Sequence, residues 1–177
     1  MKKRYGFLKY FFLLLFSIAL FSSCGPTLDE QRRAMKTTMD SYINTPYRYG
    51  GTSQNGIDCS AFTQKVYASA GVSIPRTTAE QFKAGKEVED KDYLFGDLLF
   101  FDTSVKTENH SCCLMPFFFF FGSSTKPSAP GHVGIYSERG EFYHASKSRG
   151  VTRDSLYDYY WEKTFLGARR ILKEAAD

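Results

Sequence analysis

Cys59, His132 and His144 have the residue types that nucleophilic catalysis needs. A thiolate attacks a carbonyl carbon. An imidazole takes the thiol proton and later gives it to the leaving amine, while a second polar group holds that imidazole in place. Cys59 follows a turn-rich loop, Asn44-Thr45-Pro46-Tyr47-Arg48-Tyr49-Gly50-Gly51, and then Gly56-Ile57-Asp58. From Cys59 onward Phe62, Val66, Tyr67 and Ala70 recur at helical spacing, and Gly71 ends the run. Asp58 or Asn55 caps this helix. A thiol in the first turn feels the positive end of the helix dipole, which favours the thiolate. Such a cysteine is either a nucleophile or, like most free cysteines, a small buried residue, and this stretch alone leaves both open.

The histidines strengthen the first reading. His132 to Ser137 alternates, with Val133 and Ile135 on one side and His132, Gly134 and Tyr136 on the other. Glu138-Arg139-Gly140 is a turn, and Glu141 to Ser146 is the next strand. Pairing Tyr136 with Phe142 sets Gly134 opposite His144. Both imidazoles then share one face, with room between them over the glycine. In that register Cys59 attacks, His132 is its base and then the acid for the leaving amine, and His144 orients His132. The third histidine, His110, lies in an unusual connector and is read as inert.

Other elements must hold these groups. Leu28 to Asn44 reads as a packing helix with Met35, Met39, Tyr42 and Ile43 as its apolar stripe. Pro46 forces an extended entry into the glycine loop. Thr77 and Glu80 fit a capping box on a short helix that ends near Gly85. Gly96 to Phe101 is an apolar, central strand, and strands from Gly150 to Thr152 and from Phe165 to Leu172 complete the sheet. Tyr157, Tyr159, Tyr160 and Trp161 form an aromatic cluster between them. Helices first and strands afterwards make the chain α+β, with N-terminal helices packed on an antiparallel sheet of about five or six strands.

Composition narrows the function. The net charge of +4 comes entirely from Lys2, Lys3, Arg4 and Lys9, and the chain beyond them balances 19 basic against 19 acidic residues. That balance gives no electrostatic basis for binding nucleic acid. The basic start, the apolar run Tyr10 to Phe21 and the small residues Ser22 and Ser23 have the layout of a secretory signal over residues 1–23, with too short a run to span a bilayer. The following Cys24-Gly25 resembles a bacterial lipobox, which implies lipidation of Cys24 and an anchor in the membrane. By resemblance to enterobacterial sorting, Gly25 in place of Asp favours the periplasmic face of a Gram-negative outer membrane. Residues 24–44 are then the lipidated terminus and first helix, and 45–177 the catalytic domain. Within it Thr103 to Pro130 is a long connector holding Cys112, Cys113 and the run Phe117 to Phe121. It is read as a tolerated insertion, with a lip over the cleft as the alternative.

The motifs Thr45-Pro46-Tyr47-Arg48-Tyr49-Gly50-Gly51, Gly56-Ile57-Asp58-Cys59-Ser60-Ala61-Phe62, Pro75-Arg76-Thr77, Gly96-Asp97-Leu98, Gly131-His132-Val133-Gly134-Ile135-Tyr136 and Phe142-Tyr143-His144-Ala145-Ser146 stand in this order. In this the chain resembles the NlpC family of bacterial cell-wall cysteine peptidases, and within it the Spr-type murein endopeptidase lipoproteins. The likeness runs from about residue 30 to 172, apart from the connector. It implies a papain-like fold that cleaves peptidoglycan stem peptides, with Cys59, His132 and His144 as a Cys-His-His triad. It makes Tyr49 a residue beside the nucleophile that helps hold the oxyanion. Asp58 and Ser60 fall at substrate-subsite positions, and Arg76 at a structural or substrate-contacting one. Each has a plainer role open to it: packing, a helix cap, an ion pair.

The favoured bond is the D-alanyl–diaminopimelate cross-link. The D-glutamyl–diaminopimelate bond and LD-carboxypeptidase action stay open, as does a non-catalytic cell-wall binding module. A lipid acyltransferase on a permuted papain-like fold would place its histidine before the cysteine, whereas here the cysteine comes first. A zinc site from Cys59, His132, His144 and Cys112 or Cys113 lacks supporting spacing. The expectation is a monomer that needs no metal or cofactor.

Overall fold

The computed structural model describes residues 25–89, 92–104 and 129–172. Cys24 and the leader before it, His110, Cys112, Cys113 and Phe117 to Phe121 lie outside the described residues.

Helix α1 spans Leu28–Tyr42 and starts at a reciprocal capping box between Thr27 and Glu30. It turns Met35 and Met39 inward, both fully buried. Two two-residue strands, β1 (Thr52–Ser53) and β2 (Gly56–Ile57), make a small hairpin inside the glycine loop. Helix α2, Cys59–Ser69, follows at once, and α3 is a single turn at Thr78–Gln81 with the expected Thr77–Glu80 box. Six strands then form one wholly antiparallel sheet: β3 (Lys86–Val88), β4 (Leu98–Phe101), β5 (His132–Tyr136), β6 (Glu141–Ser146), β7 (Gly150–Ser155) and β8 (Phe165–Arg170). Their order across the sheet is β3-β8-β4-β5-β6-β7. A short helix α4, Tyr159–Thr164, carries the aromatic cluster.

The sheet divides the core. Leu98, Phe100, Val133, Ile135, Tyr143 and Ala145 face the helices and meet Met35, Met39, Phe62, Val66 and Tyr67. Leu99, Phe101, Phe142 and Ala168 face the other way and meet Leu156 and Trp161. Strand β4 is buried on both faces, which is why it reads as an unbroken apolar run. The sheet also fixes the glycine loop. Asn44 N donates to Val151 O at 2.9 Å and Val151 N to Thr45 O at 2.8 Å. Gly150 makes that approach possible, because it has φ +70° and a Cβ there would strike the Thr45 carbonyl. The loop that delivers the cysteine and the strand beyond the second histidine are therefore one rigid unit.

Candidate active site

Asp58 caps α2 and, with it, positions Cys59. Its Oδ1 accepts from Ala61 N at 2.8 Å, Ser60 Oγ at 3.2 Å and Arg76 NH1 at 3.0 Å. Its Oδ2 accepts from Gly50 N at 3.0 Å and Arg76 NH2 at 2.6 Å. Burial acts to raise this carboxyl, but the Arg76 guanidinium and the Ala61 and Gly50 amides outweigh it and hold the group below the usual carboxylate range. Asp58, Ser60 and Arg76 are thus one cluster, which also contains the expected helix cap and ion pair. A buried strut supports it from behind: Gln81 Nε2 donates to Ser60 O at 3.0 Å and Pro75 O at 2.8 Å, while Thr63 Oγ1 donates to Gln81 Oε1 at 2.9 Å.

Cys59 is only 6% exposed. Its sulfur meets Thr78 Oγ1 at 3.8 Å and the Val133 amide, which puts the nucleophile candidate against the start of β5, next to His132. The helix-start position does not deliver the expected thiolate. Burial pushes the thiol up, and the Thr78 hydroxyl and the Val133 and Ser60 amides offset only part of it.

The β5–β6 register is the one assumed in pairing Tyr136 with Phe142: Gly134 opposes His144 and Tyr136 opposes Phe142. His132 Nε2 lies 2.9 Å from His144 Nδ1, and His144 Nε2 lies 3.0 Å from Asp154 Oδ2. That carboxylate oxygen also accepts from Arg149 NH2 at 2.5 Å and from Trp161 Nε1 at 3.1 Å. Burial acts to raise Asp154, but the bonds from His144, Arg149 and Trp161 hold it well below the usual carboxylate range. An ionised carboxylate only accepts, so His144 Nε2 carries a proton. With the His144 ring neutral its Nδ1 is an acceptor, and His132 Nε2 must donate to it. The lone pair of neutral His132 is then on Nδ1. The row Asp154–His144–His132 therefore has a direction, and it ends in a base.

Trp161 packs this row. Its ring stacks on His132 at 5.6 Å between centroids and meets His144 edge-on at 4.8 Å. Burial first, then the repulsion of His144 and Lys147, pushes His132 down to about 3. His132 is consequently neutral at pH 7.

Two residues correct the sequence reading. Tyr49 is 90% exposed, because Gly50 at φ +72° and the Gly51 N to Arg48 O bond turn the chain back and leave that side chain outside. The tyrosine at the site is Tyr47, which lines the cavity beside both histidines. Burial first, then the Cys59 and Asp58 charges, pushes its hydroxyl up. A strand that ends at Thr152, as the sequence pattern suggests, leaves out Asp154, whereas β7 runs to Ser155. Thr152 pairs with His144, so Asp154, two residues on, shares its face. Among the described residues no group of three or more His, Cys, Asp or Glu could hold a metal ion, and no helix is long and apolar enough to cross a membrane.

The pattern of the NlpC/P60 family matches residues 44–115 and 117–170. The likeness read from the sequence starts at about residue 30 and leaves out the long connector; the matched span starts at residue 44 and takes in most of that connector. The chain is 37% identical over 134 residues to the "Probable endopeptidase NlpC" of Escherichia coli K12, covering 75% of this chain and 73% of that protein. It is 35% identical over 141 residues to the "Murein DD-endopeptidase MepS/Murein LD-carboxypeptidase" of the same strain, covering 77% of this chain and 63% of that protein. The solved structure of an NLP/P60-family protein described as similar to lipoprotein, from Staphylococcus aureus subsp. aureus Mu50, superposes with a TM-score of 0.64 at 29% identity, covering 93% of this chain and 49% of that one. The chain thus spans less than two thirds of MepS and about half of the solved structure. Its papain-like α+β architecture and its motifs have one explanation: this chain belongs to the NlpC/P60 family.

Proposed function

We propose that this chain is a peptidoglycan hydrolase, a cysteine peptidase that cleaves amide bonds in murein stem peptides or cross-links, with the D-alanyl–diaminopimelate bond as its favoured target. The observation that carries this reading is the row Asp154–His144–His132, joined by contacts of 3.0 and 2.9 Å and ending beside the buried Cys59. The names of the two Escherichia coli relatives support the substrate class.

Cys59 Sγ attacks the amide carbon as His132 Nδ1 takes its proton. The first-turn amides of α2 and the protonated Tyr47 hydroxyl are the donors nearest the developing oxyanion. The C–N bond breaks as His132 passes the proton to the departing amine. Water, activated by the same nitrogen, then hydrolyses the thioester and frees Cys59. His144 keeps the His132 ring aligned and shares the charge that forms on it. No step requires a metal.

The anchoring expectations complete the proposal: residues 1–23 as a leader, Cys24 lipidated, residues 45–177 as the catalytic domain, and the periplasmic face of the outer membrane as the place of work. The test is mass spectrometry of muropeptides after intact, cross-linked peptidoglycan is incubated with the protein and with its Cys59→Ala variant. Conversion of cross-linked dimers to monomers by the parent alone is expected. An unchanged pattern with both proteins, or cleavage by both, refutes the reading.

A further inference from the structure

Beside the two imidazoles lies a cavity of about 580 Å³, of which the mechanism above uses only the imidazoles and the Tyr47 hydroxyl. It is walled by Tyr47, Trp161 and Tyr160, and floored by Ser146 to Arg149, the turn between β6 and β7. Asp58, Ser60 and Arg76 do not line it. Cys59 joins the two regions: Asp58 is its chain neighbour, and the Val133 amide on its sulfur is next to His132. One cluster therefore lies at the α2 end of the nucleophile and one cavity on the imidazole side. The imidazole must protonate the departing amine, so the half of the substrate that leaves sits in the cavity.

The charges in the cavity are unequally matched. Arg149 is held by Asp154 at 2.5 Å and has Asp158 as a second acidic neighbour. Lys147, on the same wall, has no carboxylate partner among the described residues. It is close enough to His132 for its charge to be felt there. An unmatched cation beside the departing amine suits an anion carried by the amine's own residue.

We propose that Lys147 and the cavity around it form a leaving-half subsite that binds the free α-carboxylate of the amino acid whose amine is released. The subsite deepens the hydrolase reading and rests on it. Its chemistry also discriminates among bonds. The amine freed from a D-alanyl–diaminopimelate cross-link stands on a carbon that bears a free carboxylate, and so does the D-alanine freed by an LD-carboxypeptidase. The amine freed from a D-glutamyl–diaminopimelate bond in a tetrapeptide stem stands on a carbon whose carboxyl is locked in the next amide. The subsite thus selects the first two and disfavours the third. A bound carboxylate would also cancel the Lys147 charge on His132 and make the base stronger when the correct substrate arrives.

The test separates binding from cleavage. Calorimetry on the Cys59→Ala protein measures the affinity for a diaminopimelate-containing peptide with its free amine and free α-carboxylate, and for the same peptide with that carboxylate amidated. The free acid should bind about three- to tenfold more tightly, a range set by a charge-assisted contact to an exposed lysine. Lys147→Met should abolish the preference by weakening the free acid alone, and Lys147→Glu should reverse it. Equal binding of the two peptides, or a preference that survives Lys147→Met, overturns the subsite. A preference that vanishes with Lys147→Met in a protein whose parent cleaves no peptidoglycan leaves the subsite standing and refutes the hydrolase reading instead.

Discussion

Replacing Asp154 by Asn tests the directed imidazole row without changing its shape. Asn keeps an oxygen where Asp154 Oδ2 accepts from His144, Arg149 and Trp161, but it removes the charge. Arg149 is 55% exposed, so losing its partner costs about 1 kcal/mol at most. The bonds from His144 and Trp161 each fall from charge-assisted to neutral, about 1 kcal/mol apiece. A total of about 2 to 3 kcal/mol leaves a folded protein, given typical stabilities of about 5–15 kcal/mol. Activity is more sensitive. During catalysis His132 becomes an imidazolium, and the Asp154 charge supports it through His144. Weakening that support by about 1.4 to 2.7 kcal/mol slows the reaction about 10- to 100-fold. Asn has a second effect: its amide can donate to His144 Nε2. The row then reverses, and His132 presents N–H rather than a lone pair to Cys59. The assay is steady-state cleavage of a cross-linked muropeptide across pH 5 to 9, with circular dichroism as the fold control. The expected result is a fall in kcat larger than any change in KM, since Asp154 acts on the reacting imidazole through His144. A folded Asp154→Asn protein with kcat within about twofold of the parent at every pH refutes the row as the working unit.

Gly134→Ala should lose about 1–3 kcal/mol, read as a lower urea midpoint, because the new Cβ would meet Phe142 Cδ2 at 2.6 Å and Tyr143 O at 2.9 Å; a midpoint equal to the parent's contradicts the register. Acid should destabilise the fold early. His132 is held at about 3 when folded and returns to about 6.5 when unfolded, so the unfolded chain binds the extra proton between those values. Stability from this group is intact above pH 6.5 and falls by about 1.4 kcal/mol per pH unit below it, so urea titrations at pH 7 and 5 should differ by about 2 kcal/mol. Equal stabilities would contradict a buried, neutral His132. Gln81→Leu should cost about 1–3 kcal/mol by leaving the Ser60 and Pro75 carbonyls without their shared donor, and it should lower kcat by loosening the first turn of α2; unchanged thermal unfolding would refute the strut.

The hairpin was legible because its pattern is local. Alternation over His132 to Tyr136 puts Val133 and Ile135 on one face and a tight turn at Arg139-Gly140 joins the strands, while the pairing of Gly134 with His144 had to be assumed and is the one the sheet adopts. Asp154 was not legible for a corresponding reason. Arg153-Asp154 looks like the end of a strand, and only the ladder to β6 keeps it extended through Ser155. Tyr47 and Tyr49 are chemically alike and two residues apart; a glycine turn decides which is inside, and nothing in the residue types reveals that choice. The ionisation of Cys59 failed differently. The dipole at a helix start is a local property, but the burial that outweighs it comes from packing against β5 and Thr78, which lie far along the chain.

That last difference changes the chemistry. Burial pushes the Cys59 thiol up and pushes His132 down, so both shifts oppose a resting thiolate–imidazolium pair. The resting site holds a neutral thiol beside a neutral imidazole, and the proton must move as sulfur attacks. The absorbance of a thiolate near 240 nm should therefore be absent at pH 7. Iodoacetamide should modify Cys59 more slowly than a free thiol of ordinary acidity, with a rate that rises through a limb above the usual cysteine range. A thiolate band at pH 7 in the resting protein would refute this. A site that stores no charge at rest also stores no reactive nucleophile. For the hydrolase proposed above, such a site ties activation of the thiol to the arrival of a substrate amide, whose polar groups replace water in the cleft.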